Sequence, residues 1–159
     1  MVLWWGIATA IFILLIVICV CDIKQRIVPN VAVIILFAFA VTIVMLEYVY
    51  QDKFAFPTQN ISLFERLLGA FIAFTPLALV AFTTHSIGFG DVKLISVLGL
   101  ILGLKGTFIM LCATAVLGAI GALVCVIVNR IKDGNIKTTL CYAPYICAGA
   151  CIACAIVIT

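Results

Sequence analysis

Two carboxylates, Asp22 and Asp91, interrupt a 159-residue chain that otherwise avoids charge. Two carboxyl groups brought together cannot both ionise easily, so one keeps a proton while the other acts as a base on a water between them. That pair is the working unit of hydrolysis by an activated water. Asp22 follows the apolar run Val2 to Cys21, and Asp91 sits in the stretch His85-Ser86-Ile87-Gly88-Phe89-Gly90-Asp91-Val92-Lys93-Leu94 between two other apolar runs. Each aspartate by itself also reads as the polar marker of a membrane boundary.

The neighbours of the two aspartates add chemistry of their own. Gly88 and Gly90 remove Cβ atoms on either side of Phe89, which lets the backbone bend tightly and lets a peptide approach the main chain beside Asp91. Lys93 lies two residues past Asp91, on a different helical face. It reads either as a bias toward ionised Asp91 or as a side chain snorkelling to the interface. After Asp22 come Lys24, Arg26, Pro29 and Asn30. Pro29 suits a first helical turn, where its missing N–H costs nothing; Lys24 and Arg26 read as lipid anchors or as attractors of a substrate. His85 reads as a loop residue.

These groups need elements to carry them, and composition says which. With 67% hydrophobic and 9% charged residues, the chain is far from a soluble domain, where about a quarter of residues are charged. Val2 to Cys21 is long enough, at about 1.5 Å per residue, to cross a hydrocarbon core of about 30 Å. It lacks a basic leader region and a cleavage site, so it is expected to be a retained transmembrane helix. Breaks in the pattern predict six membrane segments, near residues 2 to 21, 31 to 50, 65 to 84, 92 to 104, 107 to 128 and 140 to 158. The expected fold is an all-α integral membrane bundle of about six transmembrane helices forming a single membrane-embedded domain over residues 1 to 159.

Sorted by side, Lys24, Arg26, Lys93, Arg130, Lys132 and Lys137 face one way and Lys53, Arg66 and Lys105 the other. The positive-inside bias makes the first group cytoplasmic and both termini extracytoplasmic. The nine basic residues form no stripe that would follow a phosphate backbone, so no nucleic-acid partner is expected. Almost all of the eight cysteines fall inside apolar runs and read mainly as small hydrophobes, including the lone C-x-x-C at Cys151 and Cys154.

The fourth segment, 92 to 104, would reach only about 20 Å as a helix. Either the 85 to 91 loop dips below the headgroups or the fourth and fifth segments form a broken pair. Both place Asp91 at or within membrane depth, where a carboxylate is costly and marks a functional site. Because Asp91 opens a helix and Asp22 closes one, the helix dipoles lead to the expectation that Asp91 is the carboxylate and Asp22 holds the proton. Gly99 and Gly103, spaced G-x-x-x-G, with Gly118 and Gly121, read as close helix contacts. The stretch of about residues 51 to 64 reads as an interfacial connector, and its Asn60-Ile61-Ser62 matches a glycosylation sequon.

Taken in order, these motifs resemble the type IV prepilin peptidases, integral membrane aspartic proteases of the GxGD group. Asp22 with Arg26, Pro29 and Asn30 is similar to their first-aspartate segment, and Gly88-Phe89-Gly90-Asp91-Val92-Lys93-Leu94 to their second. Leu98-Gly99 and Leu102-Gly103 fit the glycine-punctuated helix after the motif, and Arg66-Leu67-Leu68-Gly69 the start of the helix before it. Tyr142-Ala143-Pro144-Tyr145 is similar to the proline-aromatic motif near the family's C-terminus. Phe89 and Ala143 depart from the residues common at those positions.

The resemblance implies cleavage of a prepilin or pseudopilin precursor by Asp22 and Asp91, just before a hydrophobic helix at the cytoplasmic face of the cytoplasmic membrane. No metal or cofactor is required. Gly88, Phe89, Gly90, Lys93, Lys24, Arg26, Pro29, Asn30, Tyr142 and Pro144 are the expected supporting residues. Larger members carry an N-terminal region with paired C-x-x-C motifs that goes with methylation. The chain starts directly at its first helix, so it is expected to be a short, non-methylating form like those serving Flp-type pili. Two rival readings stand beside this one: a small transporter using Asp22 and Asp91 as a proton or cation relay, and a non-catalytic assembly factor of a pilus or secretion system.

Overall fold

The computed structural model describes residues 2–25, 28–49, 61–84, 88–131 and 141–158. Every element among them is a helix: α1 (Val2–Gln25), α2 (Asn30–Val49), α3 (Leu63–Thr84), α4 (Phe89–Ile131) and α5 (Ala143–Ile158). Four of these are long and apolar enough to cross a membrane, and α5 is a shorter apolar helix. Arg26, His85, Lys132, Lys137 and the connector over residues 51 to 60, including Asn60 of the sequon, lie outside the described residues, as does the side chain of Arg130.

Burial follows helical periodicity even though the sequence is apolar all round. On α2, Leu36, Ala40 and Ile43 face the core, while Ile34, Phe37 and Met45 are exposed. Large apolar side chains exposed on helix after helix would be untenable in water, and they suit a lipid environment. The core is continuous through Ile18, Leu36, Ala73, Leu94, Leu102, Met110 and Ile146, drawing on all five helices.

The helix boundaries depart from the sequence expectation in two places. First, α1 does not end at Cys21 but continues to Gln25, since polar residues do not themselves break a helix. The chain leaves helical geometry just before Pro29, whose ring disfavours a helical predecessor. The Pro29 carbonyl then accepts from the Ala32 and Val33 amides (3.0 and 3.3 Å), so Pro29 stands at the cap of α2 and not within its first turn.

Second, the fourth and fifth segments are one element bent at Gly103, whose backbone (φ 68°, ψ −175°) is non-helical. Left-handed φ is open to glycine at little cost. The bend is a reversal. The Thr107 hydroxyl reaches the Gly99 carbonyl at 3.3 Å, whereas residues eight apart in an unbroken helix lie about 12 Å apart along the axis. Contacts along the second arm, 104–131, tell the same story: Gly106 faces Val157, Gly149 faces Met110 and Thr114, and Gly118 faces Tyr142, so this arm runs antiparallel to α5. The alternative of a broken pair is therefore the one realised.

Close approach of α3 to α4 depends on glycine. A Cβ at Gly69 would lie 2.8 Å from the Gly103 carbonyl carbon and 2.9 Å from the Gly99 oxygen. The Gly99 and Gly103 spacing thus serves helix contact, with Gly69 as its counterpart. Gly118 and Gly121 do the same for α5, receiving the rings of Tyr142 and Tyr145.

Candidate active site

The fold brings four chain segments to one end of the bundle: the last turn of α1, the start of α2, the start of α4 and the start of α5. Asp22 comes from the first of these and is 6% exposed. Its Oδ2 accepts the Ala143 amide at 3.1 Å, and its backbone carbonyl accepts the Cys141 thiol at 3.6 Å. The segment before α5 therefore clasps the end of α1 through residues 119 and 121 positions away in sequence.

Asp91 is the third residue of α4. Gly88 closes the first turn by accepting from the Asp91 and Val92 amides at 3.0 and 3.4 Å. Gly90 shows why glycine is needed here, because a Cβ would lie 2.9 Å from Val28 Cβ. The positive φ found at Gly103 does not occur at Gly88 or Gly90, so the service of Gly90 is close packing of α4 on residue 28. Phe89 is 46% exposed and packs edge-to-face on Phe82 of α3, with ring centroids 5.0 Å apart.

The two carboxyl groups are near enough for the charge of Asp22 to act on Asp91. Their hydrogen bonding differs. Asp22 lies over the N-terminus of α5 and takes its first amide, an arrangement that favours negative charge. Asp91 Oδ1 is buried with no hydrogen-bond partner. A buried carboxyl oxygen without donors is poorly suited to carry charge. Asp22 thus closes α1 and also caps α5, which the sequence places far away.

Tyr142 joins the same end. Burial, and then the Asp91 charge, push its phenol above the ordinary value, and its carbonyl accepts from the Tyr145 and Ile146 amides to cap α5. Pro144 is the second residue of α5, a position without need of an amide hydrogen. Lys24, Lys93 and Asn30 are exposed and Pro29 is half-buried. So Gly88, Phe89, Gly90, Tyr142 and Pro144 gather with the aspartates, while the two lysines point to the surroundings. Among the described residues no cluster of three metal-ligating side chains occurs.

Sequence reading did not find Val28, the Ala143 amide or the role of Arg66. Arg66 was sorted with the exposed loop charges, but it is 1% exposed and bonded to Glu47 Oε2 at 2.6 Å. A cation inside an apolar segment is itself the signal that marks such a residue.

Lipid-facing helices and carboxylates gathered at one end define an integral membrane protein, multi-pass and helical. The chain belongs to the type IV leader peptidase family, whose profile matches residues 9–158. It is 30% identical over 141 residues to the Prepilin leader peptidase/N-methyltransferase of Bacillus subtilis (strain 168), covering 88% of this chain and 51% of that protein. The chain thus spans about half the length of that relative. No solved structure matches it significantly.

Proposed function

We propose that the chain is an aspartic endopeptidase that removes the leader of a type IV prepilin or pseudopilin, with Asp22 and Asp91 as its catalytic pair. The observation that carries this reading is that Asp22 and Asp91 stand near enough for the charge of one to act on the other, one held by the Ala143 amide and the other with a bare buried oxygen. In the resting pair Asp22 is the base and Asp91 holds the proton. Asp22 takes a proton from a water between them as that water attacks the scissile carbonyl carbon. Asp91 gives its proton to the carbonyl oxygen, forming a neutral tetrahedral diol. When the diol collapses, the C–N bond breaks, the proton on Asp22 goes to the leaving amine and a diol hydroxyl returns its proton to Asp91. No covalent acyl-enzyme forms.

Tyr142 and Phe89 flank the pair and shape the approach of the peptide, while the exposed Lys24 and Lys93 hold this end at the headgroups. An apolar groove of about 340 Å³ between α2, α3 and the first arm of α4, lined by Phe37, Val41, Leu67 and Val97, opens along the bundle. It suits an apolar stem lying beside the enzyme in lipid. The chain crosses the cytoplasmic membrane six times, counting both arms of α4, with its termini extracytoplasmic and the aspartates toward the cytoplasm. Cleavage of a Flp-type substrate without N-methylation is part of the same proposal.

Co-expression with a tagged prepilin tests the reading. A faster-migrating product is expected with the intact chain and not with Asp22→Asn or Asp91→Asn; a product with either variant contradicts the dyad.

A further inference from the structure

The first arm of α4, residues 89–102, ends at the turn on Gly103, where Ile101, Leu102 and Gly103 are all buried. A helix end leaves its last carbonyls without intrahelical partners, and away from water each must be satisfied by protein. Here two side chains from other segments do so. Arg66 Nη1 donates to the carbonyls of Ile101 (2.7 Å) and Leu100 (3.3 Å). The Thr107 hydroxyl lies 2.6 Å from the Gly103 carbonyl and 3.3 Å from that of Gly99. Arg66 is in turn held through Nη2 by Glu47 of α2. A cation at a helix C-terminus also complements the dipole, and a buried cation is tolerable when ion-paired and hydrogen-bonded in this way.

We propose that Arg66, braced by Glu47 and assisted by Thr107, is the axial stop of the arm that carries Asp91 at its other end, and so a positioning residue for the carboxyl pair. The inference rests on the catalytic reading above. Asp22 is anchored independently, through α1 and the Ala143 amide. Its separation from Asp91 therefore depends on where the arm sits along its own axis. Gly69 against Gly99 and Gly103 makes the α3–α4 contact backbone on backbone, with no side-chain knobs at that point to resist sliding. A helical arm of about 15 Å between Asp91 and Ile101 is stiff and carries an axial shift from one end to the other. Arg66 is 1% exposed and borders the apolar groove, but its guanidinium is committed to Glu47 and to the arm carbonyls, so its effect on the reaction passes through the arm.

The pH–rate profile separates positioning from general damage. Among the described residues the titratable groups coupled to Asp91 are Asp22 and Tyr142. Carboxyls that move apart interact less, and the two limbs of the profile draw together. In reconstituted protein, Arg66→Ala is expected to lower kcat at least about tenfold, given that a shift of about 1 Å can cost ~10²-fold. KM should stay within about twofold, since the guanidinium is bonded to Glu47 and the arm and not to substrate, and the limbs should narrow. Arg66→Lys should recover part of both effects. Unmoved limbs with kcat falling only in proportion to folded protein, or a rise in KM with kcat intact, overturn the proposal. Should Arg66→Ala not accumulate, Glu47→Gln and Thr107→Val carry the same test, and unmoved limbs in both overturn it. If the intact protein does not cleave, or Asp91→Asn still does, the catalytic reading fails; if those controls behave and the limbs do not move, the positioning role alone fails.

Discussion

Gly90→Ala should displace Asp91 by an amount readable from the structure. The added Cβ would lie 2.9 Å from Val28 Cβ, where carbon atoms rest at about 3.5–4.0 Å, so the start of α4 and residue 28 must part by roughly 0.6–1.1 Å. The atom it meets is next to the backbone of residue 28 and cannot swing away. Asp91 is the following residue and moves with its neighbour. Misplacement of about 1 Å at a reacting group costs up to ~10²-fold in rate, so kcat for prepilin cleavage should fall about 10- to 100-fold, or about 1.4–2.7 kcal/mol. Overpacking should also cost about 1–3 kcal/mol of stability. The second variant that makes this decisive is Val28→Gly, which removes the opposing Cβ. The Val28 carbonyl oxygen would remain at an ordinary 3.5 Å from the new methyl. Cleavage kinetics of the two single variants and the double variant in liposomes give the coupling directly. The double variant should recover most of the lost rate. Full activity in Gly90→Ala, or additive losses in the double variant, would refute the packing reasoning.

Gly69→Ala meets rigid backbone at both Gly99 and Gly103; its unfolding free energy in detergent should drop by an amount near the upper end of about 1–3 kcal/mol, and an unchanged free energy would contradict the α3–α4 contact. As the pH is lowered, the protonated-carboxyl infrared band should appear earlier in Asp22→Asn than in Asp91→Asn, because the Ala143 amide favours the charged form of Asp22 and Asp91 Oδ1 is buried without a donor; the opposite order would exchange the roles of the two residues. The rate should be bell-shaped in pH, with two limbs that belong to the coupled carboxyl pair. A profile without an acid limb in stopped-flow cleavage would contradict a carboxylate base.

Much of this fold was legible because membrane helices announce themselves by length and apolarity. The break between the fourth and fifth segments was visible too, since 92 to 104 is too short to span. That the break is a left-handed turn at Gly103, with the arms folded back, required structure, as glycine spacing alone reads as helix contact. The aspartates stood out for the same reason, being carboxylates in an apolar chain. Their inequality did not. The donor to Asp22 is a backbone amide 121 positions away, and a main-chain group leaves no mark on sequence. Arg66 was visible as a charge, but its partner Glu47 is 19 positions away on another helix, and an arginine at a helix start looks like any interfacial anchor. Val28, an unremarked valine, matters only because Gly90 packs on it.

The most direct test of the central claim uses the purified chain in liposomes with a full-length type IV prepilin, read by mass spectrometry of the products. The intact protein is expected to release a leader ending immediately before the hydrophobic helix, and both Asp22→Asn and Asp91→Asn, folded to the same extent, to release none. A leader released at a comparable rate by either variant, or none released by the intact protein, would contradict the account.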